Sequence, residues 1–187
     1  MLFRSFLNCE NLVSVYLPST LKSVAENPFA LCDRLRYVDM GMSGNADFAL
    51  MDGVLYDADF ERLIVWPAAM IRLTADVAPA ARVIGYAAFA FDPYLRGVNL
   101  PGGLERIEDM AFIACRTLRN VDIPDGVKSI GYKAFANCYR LGSVSIPASV
   151  TYIGEDAFAE SPNVSVVAPS GSYAESYCRA RGIPVSQ

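Results

Sequence analysis

Leu95–Ile153 reads LRGVNLPGGLERIEDMAFIAC, then RTLRNVDIPDGVKSIGYKAFANC, then YRLGSVSIPASVTYI, and it matches itself at a shift of 23 residues. Phe112 falls on Phe135, Cys115 on Cys138, Leu118 on Leu141, Val121 on Val144, Ile123 on Ile146, Pro124 on Pro147 and Ile130 on Ile153. A fixed period of about 20–50 residues marks a solenoid, propeller or array. The period extends outward on both sides. Phe89, Phe112, Phe135 and Phe158 follow at 23, as do Ile84, Ile107, Ile130 and Ile153. Ala88, Ala111, Ala134 and Ala157 precede each Phe, and a small residue there suits close approach of neighbouring coils.

Within one repeat, Leu118-x-x-Val121-x-Ile123 alternates at its end like a short strand with one buried face. Pro124-Asp125-Gly126 turns the chain. Val127-x-x-Ile130-Gly131 is a second apolar segment, and Ala134, Phe135 and Cys138 predict a short α or 3₁₀ turn over Tyr132 to Cys138. One coil alone cannot bury these residues; stacked coils can, provided the ends are capped.

Two repeats open the chain: Phe6, Cys9, Leu12, Val15 and Leu17, then Leu21, Val24, Phe29, Cys32, Leu35, Val38 and Met40. The chain thus begins in mid-repeat, which points to a fragment or to a mature region whose leader lies outside it. After Phe29 the phase returns at Phe89, so residues 41–76 read as an irregular insert of two repeats' worth plus a hairpin. Val54-Leu55-Tyr56 and Leu63-Ile64-Val65-Trp66 are its strands, Asp57 to Glu61 its turn, and Pro67 its stop. Repeats resume over 77–169, with Asp92 at a Cys position and Pro79 one residue late. In the C-terminal cap, 170–187, Ser172 and Glu175 form a capping box and Gly182 a stop, with Ala174 and Cys178 on one face and Tyr173 and Tyr177 on its flank. All 187 residues are read as one solenoid.

The chain is 53% hydrophobic and 19% charged, with a net charge of -4. That balance excludes disorder and disfavours nucleic acid as a partner. No apolar run is long enough to span a membrane. There is no histidine, which removes the commonest general base and metal ligand.

The pattern resembles the bacterial leucine-rich repeats of the BspA type. Their consensus stands here as Ile123-Pro124, Val127, Ile130-Gly131, Ala134-Phe135, Cys138, Leu141 and Val144. The Asp52-Gly53-Val54-Leu55-Tyr56 and Leu63–Pro67 runs resemble the family's interrupting hairpin, and Gly171 to Tyr177 its C-terminal ending. The resemblance implies an α/β repeat fold: a right-handed solenoid with a concave parallel sheet, short helical turns, one hairpin and a capping helix. It also implies a secreted or cell-surface protein that binds a host or other partner protein, with no active site and no cofactor.

On such a sheet Arg36, Arg96 and Arg119 are expected in one outward column and Asp39, Asn99 and Asp122 in another, stacked at about 4.8 Å. They are candidates for a recognition surface; the competing reading is a solvated sheet whose charges neutralise each other. Trp66, with Tyr56 and Tyr37, is a candidate aromatic patch, against a packing role at the strand end. Asp57-Ala58-Asp59-Phe60-Glu61 lacks the Gly and distal Glu of a calcium loop and reads as a charged hairpin tip. Cys9, Cys32, Cys115 and Cys138 share one repeat position and read as buried free thiols, with Cys178 the accessible one. The leading expectation is a non-catalytic module that binds a protein partner on the concave face. The alternative is a structural spacer within a longer surface protein.

Overall fold

The computed structural model describes residues 6–24 and 26–187. In chain order the strands are β1 (Ser14–Tyr16), β2 (Tyr37–Asp39), β3 (Phe48–Met51), β4 (Val54–Asp57), β5 (Arg62–Val65), β6 (Thr74–Asp76), β7 (Val83–Ile84) and β8 (Gly97–Asn99). They continue as β9 (Arg106–Ile107), β10 (Asn120–Asp122), β11 (Ser129–Ile130), β12 (Ser143–Ser145), β13 (Tyr152–Ile153), β14 (Ser165–Val167) and β15 (Val185–Ser186), with helix α1 (Tyr173–Arg181) before the last.

Each regular coil contributes two strands, so the solenoid has two sheets where one concave sheet was expected. The first is parallel and six-stranded, in the order β15-β14-β12-β10-β8-β6. The second is seven-stranded, in the order β13-β11-β9-β7-β5-β4-β3. Residues 23 apart pair directly, Val121 with Val144 and Ile130 with Ile153. The Ile-Gly pair is explained by this second sheet. A Cβ on Gly131 would lie 2.4 Å from the backbone N of Asp109, so only glycine lets the coils approach there.

The expected helical turns are absent, and α1 is the one helix among the described residues. Around each Phe the N–H groups divide between the local turn and the next coil. Ala134 N–H donates to Gly131 O and Ala136 N–H to Lys133 O, whereas Phe135 N–H donates to Ala157 O at 2.8 Å and Asn137 N–H to Ala159 O. Lys133 (φ 51°) and Asn137 (φ 59°) are left-handed, and the equivalent residues in neighbouring coils repeat this. A positive φ on both sides of the Phe breaks the helical progression, and inter-coil hydrogen bonds take its place.

The core follows the repeat. Phe89, Phe112, Phe135 and Phe158 stack with centroids 4.7, 5.1 and 5.6 Å apart and planes within 9°. Trp66 lies tilted by 32° against Phe89 at 5.1 Å, and Tyr177 meets Phe158 edge-on at 6.4 Å. Cys115 Sγ donates to Phe89 O (3.0 Å), Cys138 Sγ to Phe112 O (3.1 Å) and Ser161 Oγ to Phe135 O (2.8 Å), so one slot recurs with a thiol or a hydroxyl.

The insert is a three-stranded antiparallel meander, β3-β4-β5, with β5 joined in parallel to β7. The hairpin β4–β5 is as expected; β3 was missed because Ala49 and Leu50 blur its alternation. The meander lies between two cores. Val54, Tyr56, Leu63 and Trp66 join the main core, while Leu55, Ile64 and Val65 face a second core with Leu17, Phe29, Leu35 and Val38. Both faces are covered, so β4 and β5 read as unbroken apolar runs.

At the C-terminus, Ser172 Oγ accepts from Glu175 N–H (3.2 Å), and Gly182 takes a left-handed φ of 68°. The Glu175 carboxylate accepts from Gly171 N–H (2.7 Å) and from Arg179 (2.8 Å), which hold it below its ordinary range. Ala174, Tyr177 and Cys178 are buried against the last coil, and Tyr177 OH donates to Gly154 O (3.0 Å). Cys178 is therefore inaccessible, contrary to expectation: one helix face covers the core, and the thiol lies on it. Cys9 is the one half-exposed cysteine.

Candidate functional site

The outward residues of the six-stranded sheet form two columns set by its register. Thr74, Gly97, Asn120, Ser143 and Ser165 align at the first strand position. Asp76 pairs with Asn99, and Asp122 with Ser145, at the third. Between the columns Ala75, Val98, Val121, Val144 and Val166 point into the core. The alternation of the sequence thus places a polar surface over an apolar layer.

Arg96 and Arg119 stand one residue before their strands. Arg119 N–H donates to Arg96 O (3.0 Å), so the two are direct neighbours on consecutive coils. Both are exposed, and among the described residues neither has a carboxylate within ion-pair distance. The neutralising pairs that would make this surface inert are therefore not formed there. Asn99 Nδ2 donates to Asp76 Oδ1 at 2.6 Å. Asp76 escaped the sequence reading because Ala75 replaces the usual Val, although it lies one period before Asn99.

Arg36 and Asp39 belong elsewhere. Among the described residues β2 pairs only with β1, so they do not extend the columns. Arg36 is half-buried and its Nε donates to Ala69 O (3.3 Å); Asp39 Oδ1 accepts from Gly41 N–H (2.8 Å). Trp66 is no surface aromatic: it is 3% exposed, and Tyr56 is fully buried with its OH accepting from Ala78 N–H. Only Tyr37 of that trio is exposed. The reason is phase. Trp66 stands 23 residues before Phe89 and fills the Phe slot of its own coil, a signal present in the sequence.

Asp92 explains the polar end of that indole. It occupies the Cys slot, fully buried, and its Oδ2 accepts from Trp66 Nε1 (2.7 Å). Its Oδ1 accepts from Tyr94 N–H (2.7 Å) and Leu95 N–H (2.8 Å). Burial nevertheless dominates and raises its pKa to about 6. Burial likewise pushes the Cys138 thiol up to about 12 and Cys178 to about 11, so neither is an activated nucleophile.

The second sheet carries a shallow depression of about 440 Å³, lined by Glu26, Arg62, Tyr86, Glu108, Asp109 and Tyr152 among others. Arg62 pairs there with Glu108, which also accepts from Tyr86 N–H (3.1 Å). Asp109 Oδ1 accepts from Tyr132 N–H (2.8 Å) at its rim.

The model of the BspA-type leucine-rich-repeat region matches residues 3–46 and 80–178 in six copies. No curated protein matches the chain. Among solved structures, a leucine-rich-repeat protein from Eubacterium ventriosum is 20% identical, covering 83% of this chain and 42% of that one, with a TM-score of 0.79. The pneumococcal vaccine antigen PcpA is 21% identical over 94% of this chain and 56% of its own, with a TM-score of 0.66. A leucine-rich cell surface protein from Faecalibacterium prausnitzii is 22% identical over 89% and 50%, also with a TM-score of 0.66. The chain thus spans about half the length of the structures it matches, and these likenesses show the fold.

Proposed function

Because the chain belongs to the BspA-type leucine-rich-repeat family, we propose that it is a non-catalytic interaction module that binds a protein partner through the outer face of its six-stranded sheet. This face is taken as the concave side of a right-handed solenoid, the usual binding surface of such arrays. The observation that carries the reading is the pair Arg96 and Arg119, adjacent, exposed and without carboxylate partners, beside the Asp76–Asn99–Asp122 column. Two desolvatable guanidiniums next to acceptors form a surface that recognises charge pattern. The sites of action are the bacterial cell surface or the extracellular space, as the name of one structural relative favours.

The test is capture of solubilised surface and matrix proteins on immobilised protein, beside the double variant R96E/R119E. Both side chains are exposed, so the variant keeps the wild-type melting temperature. A partner bound by the wild type and lost by the variant is the expected result. Partners retained equally by both would move binding off this face.

A further inference from the structure

The strand ladder of the first sheet is broken between β2 and β6, and the meander is the cause. Every other pair of successive strands in that ladder from β6 to β14 encloses one strand of the second sheet; β2 and β6 enclose three. Two extra strands widen the second sheet by about 10 Å, and among the described residues the first sheet gains no strand to match; the segment before β6 reaches β2 through Ala69 N–H, which donates to Leu35 O (2.8 Å). The Asp52–Gly53 turn of the meander reaches the break and props it: Arg72 donates to Asp52 O (3.2 Å), and Met70 lies against Gly53. What remains is a cleft of about 340 Å³ whose walls include Tyr37, Val38, Met70 and Ile71.

Among the described residues the edge of β2 that faces this cleft has no strand partner. Tyr37 N–H donates to Val13 O and Asp39 O accepts from Leu17 N–H, so both residues turn their backbone groups toward β1. In a parallel ladder alternate residues face opposite sides. Val38 N–H and C=O therefore point into the cleft. Tyr37, 58% exposed, and Ile71, 64% exposed, add apolar surface beside them. Leu73, also exposed, links the cleft to the sheet face, because its carbonyl accepts from Arg96 N–H (2.7 Å).

We propose that this break docks an extended, acidic segment of a partner protein, which adds a strand to the free edge of β2. The proposal rests on the partner-binding reading above and names how the partner is held. The backbone groups of Val38 recognise an extended chain of any sequence. Charge sets the composition: Arg72 is already held by Asp52, whereas Arg96 on the coil beside the break and Arg119 one coil further have no carboxylate within ion-pair distance among the described residues. A segment with apolar residues on Tyr37 and Ile71 and acidic residues reaching these arginines satisfies both.

The probe is a blocked, fluorescein-labelled octapeptide of alternating aspartate and valine. Anisotropy is expected to show saturable binding with Kd below about 1 mM, at least about fivefold weaker for R96E/R119E. On binding, exchange of the Val38 amide slows at least about tenfold. N-methylation of every second residue of the peptide, made in each of the two frames, abolishes binding in at least one frame, because it removes one edge's donors and leaves the side chains. An unchanged Val38 amide, or both frames binding like the parent, overturns strand addition; loss in R96E/R119E under that outcome leaves the partner-binding face standing. No binding by the wild type also overturns it, as does sedimentation showing that the β2 edge pairs with a second copy of this chain.

Discussion

Asp92 makes the stability of this protein depend on pH in a direction opposite to that of most carboxylates. It is fully buried in a slot that other coils fill with Cys or Ser, and its pKa rises from 3.8 to about 6. Burial is the largest cause; the N–H groups of Tyr94, Leu95 and Trp66 pull the other way and lose. The folded protein therefore binds a proton between these two values that the unfolded chain does not, and its stability falls as pH rises through that window. A rise of this size corresponds to about 3 kcal/mol, present in full only well below pH 3.8 and lost as pH rises through about 6. Asp92→Asn removes the titration. Its Oδ1 keeps the two backbone donors, but its Nδ2 faces the indole N–H, so the variant carries a fixed, pH-independent cost. Urea unfolding of both proteins at intervals from pH 4 to 7.5 isolates the term, since other carboxylates cancel in the difference. The stability of the variant relative to the wild type is expected to rise by about 2.5 kcal/mol from pH 4 to 7.5. Parallel curves across that range would refute a buried, titrating Asp92.

Further outcomes follow from the repeat geometry. Phe135→Ala, in the middle of the stack, costs about 3–5 kcal/mol in chemical denaturation, and Phe158→Ala, nearer the cap, costs less. Gly131→Ala drives a methyl group into the Asp109 backbone and costs about 1–3 kcal/mol, read as a lower melting temperature. Cys138→Ser costs no more than about 1.5 kcal/mol, because Ser161 already fills the same slot and bonds the equivalent carbonyl; a larger loss would show that the thiol packs in a way a hydroxyl cannot. With a thiol reagent under native conditions Cys9 reacts first, while Cys115, Cys138 and Cys178 stay protected until unfolding; early labelling of Cys178 would mean that the cap helix opens locally.

The sequence by itself determined what repeats. A residue in a regular coil meets its counterparts 23 positions away, so one period specifies the Phe stack, the buried Ile column, the Cys slot and the Asn99–Asp122 alignment together. The capping box was equally local: Ser172, Glu175 and Gly182 decide α1 within a dozen residues. Tertiary structure alone decided the partners that do not recur. The expected helical turn at Tyr132 to Cys138 gave way because alternate N–H groups, those of Phe135 and Asn137 among them, bond the next coil instead. For Trp66 the sequence left a surface patch and strand-end packing both open; its phase with Phe89 was legible, but its bond to Asp92 joins two departures from the period, which cannot be paired without coordinates. Cys178 was misplaced because the side of α1 that meets the core depends on how the helix docks. The break beside β2 was invisible for the same reason: the insert's strands were legible, but that all three would join the second sheet, prying the first apart, follows from which hydrophobic faces they share.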